Sequence, residues 1–152
     1  MSLILHGTNG ITFPDTTGPF DGADLNKAGE LIFGYGGATG GSGSTVYFGR
    51  TDASNATEVN ARSPISTAGV IKNMYARSED APSSGDTNAY TLMLNGSATS
   101  LTCTVSGTDT SANDTSNTVT VAAGDEVSIK WVASSGVPQP TGSAISVQLI
   151  SS

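Results

Sequence analysis

Cysteine, histidine and tryptophan each occur once among the 152 residues, and each scarcity excludes a class of site. The single Cys103 cannot form a disulfide within the chain, and its alternation with Leu101 and Val105 predicts a small buried hydrophobe. A lone His6 offers no zinc cluster and no fixed base for a Ser-His-Asp triad, and the sequence has no Gly-x-Ser-x-Gly motif. We therefore expect no catalytic residues, no cofactor and no enzymatic activity.

Positive charge is also scarce, because six Lys and Arg residues are scattered along a chain with thirteen Asp and Glu and a formal net charge of −7. A nucleic-acid surface needs clustered basic residues to neutralise phosphates, so we expect no nucleic-acid partner. No apolar run approaches the ~18 residues of a membrane-spanning helix, so we expect no membrane insertion. The first residues, Met1 to His6, lack the basic and apolar regions of a signal peptide, which predicts synthesis in a cytoplasm.

Helical periodicity is nearly absent, and alternation of apolar and polar residues takes its place. Charged residues are only 12% and hydrophobic ones 36%, a balance that favours an ordered chain. The alternation predicts half-buried strands, and Asn95-Gly96 predicts a hairpin between two of them. The alternating positions include Tyr90, Leu92 and Leu94; Leu101, Cys103 and Val105; Val127, Ile129 and Trp131; and Ile145, Val147 and Leu149. The pattern predicts an all-β antiparallel sandwich or barrel, with Trp131 in its core.

The chain divides into an N-terminal arm (residues 1–33), a Gly-rich hinge or loop (34–43) and a β-sandwich domain (44–152). Isolated apolar residues among turn formers suit an extended arm that lies on another surface, or equally a segment that folds back on its own domain. Residues 28–33 read as a first short strand. The Gly-rich stretch is not a phosphate loop, because it lacks the terminal Gly-Lys-Ser/Thr.

Carboxylates are the remaining candidates for a metal site. Asp109 and Asp114 lie in a polar stretch that we interpret as a long loop, residues 107–117, and residues 78–88 form a second one. Asp, Asn and Ser oxygens at close spacing suit calcium, but the EF-hand spacing and its closing Glu are missing. We therefore predict no metal site, with Asp109 and Asp114 as solvated turn residues. A carbohydrate-binding module remains a third class of function, and Tyr35 and Tyr47 are its exposed aromatic candidates.

Two sets of residues resemble bacteriophage proteins. The stretch Leu5 to Asp15, with its Thr-Asn-Gly and Phe-Pro-Asp turns, resembles a segment recurrent in phage virion proteins, tail-fibre proteins among them. Residues 69–77, 90–96 and 105–125 resemble a β-sandwich module of phage and prophage structural proteins. The alternation around Gly124-Asp125 also looks like the jelly roll of trimeric tumour-necrosis-factor-like and complement-C1q-like domains. The resemblance implies a jelly-roll-like β-sandwich preceded by an extended arm.

The resemblance also implies a homotrimeric virion component with one of two roles. The first is a capsid decoration (cement) protein that binds the major capsid protein on the capsid surface. The alternative is a tail or head fibre protein that attaches to host-surface carbohydrate. For the first role we expect capsid contacts in the arm, at Leu3, Ile4, Leu5, Ile11, Phe13 and Phe20. Aromatic residues are enriched at interface cores, so the trimer interface is expected at Tyr47, Tyr75 or Tyr90.

Overall fold

The computed structural model describes residues 5–6, 10–12, 19–20, 28–36, 43–50, 54–134 and 142–151, most of which lie in strands. The strands are β1 (Leu5–His6), β2 (Gly10–Thr12), β3 (Pro19–Phe20), β4 (Ala28–Gly36), β5 (Thr45–Phe48), β6 (Ser54–Asn55), β7 (Ser63–Pro64), β8 (Gly69–Ser78), β9 (Ser83–Leu94), β10 (Ser97–Gly107), β11 (Ser111–Val121), β12 (Glu126–Ala133) and β13 (Gly142–Ser151). One 3-10 helix, η1 (Glu58–Ala61), interrupts them, and these ranges contain no α-helix. The predicted all-β class is confirmed.

Two antiparallel sheets form the sandwich. Sheet I has the order β10-β9-β12-β5-β6, with β7 beside β12, and sheet II has the order β11-β8-β13-β4. The pairing of eight strands is nested along the chain: β4 pairs with β13, β5 with β12, β8 with β11, and β9 with β10. One long antiparallel hairpin is thus wrapped across both sheets, which is the topology of a jelly roll. The predicted jelly-roll-like sandwich is confirmed.

A single core lies between the sheets, and alternation of the side chains builds it. Sheet I contributes Val46, Phe48, Tyr90, Leu92, Leu101, Cys103, Val105, Val127, Ile129 and Trp131, and sheet II contributes Leu31, Phe33, Ile71, Met74, Ala76, Val119, Val121, Ile145 and Val147. The intervening residues point outward and are mostly Thr, Ser, Asn and charged side chains. The described core residues of the two sheets thus lie on strands β4 to β13, and Trp131 lies in the core as expected.

Two turns at one end of the sandwich are joined by side chains. Asn95 (φ 50°) and Gly96 (φ 84°) form the predicted hairpin turn between β9 and β10. The Asn95 amide donates to Asp125 Oδ1 at 2.8 Å, and its oxygen accepts from the Glu126 amide at 2.8 Å. Arg62 also reaches this end, where it pairs with Glu126 at 3.2 Å and with Glu58 at 2.6 Å. The hairpin turn is thus fixed by residues far from it in the sequence.

Strands β1, β2 and β3 form a separate antiparallel sheet, which we call the N-terminal sheet (residues 5–20). Its strands pair with one another and, among the described residues, with no strand of the sandwich. Strand pairing therefore sets the N-terminal sheet apart from the two sheets of the sandwich.

The sandwich begins earlier than the boundary at residue 44. Strand β4 pairs with β13 over nine residues, and Leu31 and Phe33 enter the core. Residues 28–36 thus belong to the sandwich, and the Gly-rich stretch follows its first strand instead of preceding the domain. The short strand expected at residues 28–33 is present and extends to Gly36.

The two long loops expected at residues 78–88 and 107–117 are largely strands. Strand β9 starts at Ser83 and strand β11 starts at Ser111. These segments are rich in Ser, Asn and Asp, which favour turns and loops. Composition alone therefore predicted loops, although both segments also contain Thr, which is common in strands. Ladder hydrogen bonds with β10 and β8 decide the conformation, because backbone pairing does not require apolar side chains.

Candidate functional site

Tyr90 lies inside the protomer and is not a surface residue. Its side chain is 0% exposed, and its ring packs edge-on against Phe48 with centroids 6.5 Å apart. The Tyr90 hydroxyl and the Ser143 hydroxyl share a 2.8 Å hydrogen bond that crosses from sheet I to sheet II. Burial raises the pKa of Tyr90, against the opposing effect of its hydrogen bonds to Ser143 and Ser78. Tyr90 therefore has no area to offer a trimer interface, contrary to expectation.

The other two tyrosines lie on opposite outer faces of the sandwich. Tyr47 is half-buried on sheet I, where it is the register partner of Lys130 on β12. Tyr75 is on sheet II and is 51% exposed. Only Val59 and Tyr75 are exposed large hydrophobic residues in the part of the chain that the structure describes. The outer face of sheet II is thus the more prominent surface for recognition.

A groove of about 480 Å³ opens beside Tyr75 on this face. It is lined by residues from three neighbouring strands: Tyr75, Ala76 and Arg77 of β8; Ser111, Ala112 and Asn113 of β11; and Ala144, Ile145 and Ser146 of β13. We call it the Tyr75 groove. Its volume falls within the range of small-molecule sites, about 300–1,000 Å³. Small side chains on β11 and β13 leave the space, and Tyr75 and Arg77 border it.

The strand register orders the polar groups of the groove into two rows. Asn113, Tyr75 and Ser146 are partners across β11, β8 and β13. Ser111, Arg77 and Ala144 are partners in the next outward-facing row, two residues along each strand. Neighbouring strands lie about 4.8 Å apart, so each row brings an amide or hydroxyl next to the central side chain.

An irregularity in β8 lies just before Tyr75. Asn73 adopts a left-handed conformation (φ 53°), and the register of β8 with β13 shifts at the same point. The Asn73 amide donates to Gln148 Oε1 at 2.9 Å, which holds the bulge against β13. A bulge bends its strand and redirects the side chains that follow. Because of the extra residue, Lys72 and Tyr75 both lie on the outer face.

The basic residues of β8 have no acidic partner in the part of the chain that the structure describes. Both ion pairs seen there involve Arg62, on sheet I. Arg77 is exposed and Lys72 is half-buried on the outer face of sheet II, one on each side of Tyr75. Glu79 lines a neighbouring depression with Arg77 and is not among the residues that line the Tyr75 groove. The groove therefore carries local positive charge on a chain of net charge −7.

Asp114 is a buried anchor instead of a solvated turn residue. It is 8% exposed, and its carboxylate accepts hydrogen bonds from the Asn117 side chain and from the amides of Thr102, Ser116 and Asn117, at 2.9–3.1 Å. Burial acts to raise the pKa of Asp114, but these hydrogen bonds outweigh it and lower the pKa from 3.8 to about 2. The donors occupy both oxygens, so a calcium ion would have to displace them. The described residues contain no cluster of three or more His, Cys, Asp and Glu side chains, and Asp109 is exposed.

Cys103 is buried in the core, as its alternation predicts. Burial raises the pKa of its thiol from 9.0 to about 12, and the negative charge of Asp114 adds to the rise. A neutral, buried thiol is a poor nucleophile. The position thus behaves as a packing residue.

Three of the six capsid-contact candidates lie outside the described residues: Leu3, Ile4 and Phe13. The other three occupy one row of the N-terminal sheet, because Leu5 is the register partner of Ile11 and Ile11 is the register partner of Phe20. Register partners on adjacent strands lie on the same face of a sheet. The sequence spacing of these residues does not predict this alignment, which depends on the register of the three strands.

Comparison with known proteins finds no family model that matches the chain and no curated protein that matches it. In the part of the chain that the structure describes, no helix is long and apolar enough to cross a membrane. Arg77, Asn113 and Ser146, which form the Tyr75 groove with Tyr75, were not expected from the sequence. These three residues are 33 to 69 positions apart along the chain. Only the register of the sheet, including its irregularities, brings them together.

Proposed function

We propose that this chain is a bacteriophage virion protein of the capsid decoration (cement) type. It binds the assembled lattice of the major capsid protein on the capsid surface, as a homotrimer, and has no catalytic role. The resemblance of Leu5 to Asp15 and of the sandwich strands to phage structural proteins underlies the proposal. The separate pairing of the N-terminal sheet supports it, because strands β1 to β3 share no ladder with the described strands of the sandwich.

The alignment of Leu5, Ile11 and Phe20 in one row is the observation that carries the proposal. Large apolar residues are enriched at the centre of protein interfaces, and three of them occupy partnered positions of this small sheet. The sandwich pairs none of its described strands with β1, β2 or β3. We therefore assign the lattice contact to this face of the N-terminal sheet.

Mass action explains why such a contact stabilises a capsid. A protein that binds the assembled lattice and not the free subunits shifts the equilibrium toward the lattice. In a trimer three copies of the N-terminal sheet act together, so that weak individual contacts gain from a high effective concentration. Threefold or quasi-threefold positions of a capsid match this symmetry.

The trimer contact is assigned to the outer face of sheet I, around Tyr47. The register places Tyr47, Lys130, Thr91 and Thr102 in one row across four strands. The row combines one aromatic residue with a cation and two threonines and contains no acidic residue. Sedimentation velocity at micromolar concentration should give a trimer, and Tyr47→Asp should shift it toward the monomer. A monomeric wild-type protein would contradict the trimer.

Capsid binding is tested by co-sedimentation with expanded, undecorated capsids. We expect saturable binding near one chain per lattice subunit. Ile11→Asp places a charge in the centre of the apolar row and should weaken binding at least about tenfold. Thr12→Asp is the matched control, because the next residue of the same strand lies on the opposite face and receives the same charge.

Three outcomes contradict the proposal. The first is the absence of saturable binding by the wild-type protein. The second is equal loss of binding with Ile11→Asp and Thr12→Asp, since an effect of charge alone does not depend on the face. The third is full binding by a variant that lacks residues 2–20, which should retain a folded trimer but lose the lattice contact.

A further inference from the structure

The Tyr75 groove combines an exposed aromatic ring with space beside it. Tyr75 stands next to small side chains, Ser146 on one neighbouring strand and Ala144 in the next row. Aromatic rings have a negatively charged face, and the C–H bonds of a sugar ring carry the complementary partial positive charge. A half-exposed tyrosine at the edge of an open groove therefore presents a flat platform for a pyranose ring.

Hydrogen-bonding groups surround this platform. Asn113 and Ser146 are the two register partners of Tyr75, and Ser111 is a partner of Arg77. Amide and hydroxyl groups donate and accept, which suits the hydroxyl groups of a sugar, themselves both donors and acceptors. An apolar surface with a few convergent polar groups is the usual composition of a small-ligand site.

Arg77 gives the groove its charge preference. Its guanidinium has no ion-pair partner among the described residues, and it follows Tyr75 on the same face, two residues along β8. Guanidinium groups bind carboxylates through two parallel hydrogen bonds, which adds both strength and orientation. Lys72, on the other side of Tyr75, contributes a second positive charge to the same face. An anionic ligand is thus favoured at this place on an otherwise acidic protein.

We infer that the Tyr75 groove binds an acidic saccharide, with a sugar ring on Tyr75, its hydroxyls on Asn113 and Ser146, and a carboxylate on Arg77. The charge complementarity of Arg77 selects this occupant over a neutral sugar. The inference does not depend on the proposed capsid role, since none of the described residues that line the groove belongs to the N-terminal sheet.

The test uses two matched probes with the full-length protein. A trimer of galacturonic acid carries carboxylates, and a galactose trimer of the same linkage lacks them. Isothermal titration calorimetry at low salt should show saturable binding of the acidic trimer, and binding of the neutral trimer at least about tenfold weaker. Affinity for the acidic trimer should fall as sodium chloride is added, because the contact with Arg77 is screened.

Four variants locate the site. Tyr75→Ala should weaken binding of the acidic trimer at least about tenfold, and Arg77→Gln should remove most of the preference for acid over neutral. Arg77→Lys should recover part of that preference, because it restores the charge without the bidentate geometry. Val59→Ala with Arg50→Gln, an exposed apolar residue and an exposed cation that do not line the groove, is the control and should bind as the wild type does.

Several results would overturn the inference. One is the absence of saturable binding of the acidic trimer. Another is equal affinity of the wild type for the two probes, together with an affinity that Arg77→Gln does not change. A third is loss of binding in the Val59→Ala, Arg50→Gln control but not in the Tyr75 and Arg77 variants. Finally, if Tyr75→Ala changes the sedimentation coefficient from that of a trimer to that of a monomer, the groove is a contact between copies of the chain and not a saccharide site.

Discussion

The backbone amide of Thr102 donates a 3.1 Å hydrogen bond to Oδ2 of Asp114 and so links the edges of the two sheets. Thr102 lies on β10, the edge of sheet I, and Asp114 lies on β11, the edge of sheet II. The two strands share no ladder. The other Asp114 contacts, with Ser116 and Asn117, hold the stretch where the register of β11 with β8 shifts. One carboxylate thus organises a bulge and joins the sheets.

Asp114→Asn should destabilise the protein by about 2 kcal/mol at neutral pH, because an amide replaces an oxygen that faces N–H donors. The pKa of Asp114 is lowered from 3.8 to about 2, so its contribution to the free energy of unfolding is present above pH 4 and is lost as the pH falls toward 2. The difference in stability between wild type and variant should therefore shrink between these values. Urea unfolding at a series of pH values measures it.

Asp109→Asn is the control for this experiment, because Asp109 is an exposed aspartate near the start of the same strand. We expect a change within about 0.5 kcal/mol. A difference for Asp114→Asn that stays constant from pH 7 to pH 2 would show that the carboxylate charge does not contribute.

The Cys103 thiol should be inert in the folded protein. Its modification by a disulfide reagent at pH 8 should be at least roughly 100-fold slower in buffer than in urea, since burial suppresses the thiolate. The raised pKa of Cys103 means that only the unfolded state ionises above pH 9, so the free energy of unfolding falls as the pH rises from 9 toward 12. In Cys103→Ala this alkaline fall should be smaller. Equal labelling rates in buffer and urea would contradict the buried position.

Strand β4 should be required for folding, whereas the residues before it should not. Removal of residues 1–27 leaves the jelly roll intact, and we expect cooperative unfolding in urea. Removal of residues 1–43 deletes Leu31 and Phe33 from the core and leaves one side of β13 unpaired. Loss of a buried Phe alone costs about 3–5 kcal/mol, a large part of a domain's total stability. Cooperative unfolding of a stable protein that lacks residues 1–43 would show that the domain starts at residue 44 and does not need β4.

Tyr90→Phe should change stability but not association. The Ser143 hydroxyl loses its 2.8 Å partner in the core, which costs about 1 kcal/mol. The sedimentation coefficient should be that of the wild type, because Tyr90 is fully buried within one chain. Dissociation of the oligomer by this substitution would show that Tyr90 contributes to the trimer interface.

Gly96→Ala should cost more stability than Gly124→Ala. Both glycines have positive φ, 84° and 92°, so an alanine is strained at either position. At Gly96 a Cβ would also meet Arg62 Nη2 at 2.5 Å, while at Gly124 nothing lies within 4 Å. Displacement of Arg62 weakens its pairs with Glu58 and Glu126, which adds to the loss, most clearly at low salt. Equal losses, measured by thermal unfolding, would show that Arg62 moves aside without cost.

The strands and their inward faces were predictable because alternation is a local property. The Asn95-Gly96 turn was equally clear, since few dipeptides favour two successive positive φ angles. The error at Tyr90 has a physical reason. A core and an interface both bury aromatic residues, so the sequence pattern of Tyr90, Leu92 and Leu94 does not distinguish the inside of one chain from the contact between two.

The Tyr75 groove was beyond prediction for a different reason. Its residues come from β8, β11 and β13, and their rows depend on irregularities at Asn73 and between Asp114 and Thr118. A shift of one residue moves every side chain to the other face of a sheet. The sequence shows no local sign of either irregularity, apart from the tolerance of asparagine for positive φ.

The pairing of β4 with β13 also has a consequence for biosynthesis. Ala28 is the register partner of Ile150, so the first strand of the sandwich can pair only after the last strand has emerged from the ribosome. A nascent chain therefore cannot close its jelly roll while residues 142–151 are still in the exit tunnel. Contacts this distant in sequence also slow folding once the chain is released. Until residues 142–151 emerge, β8 also lacks its β13 neighbour, and this is the period when the chain most needs protection from aggregation.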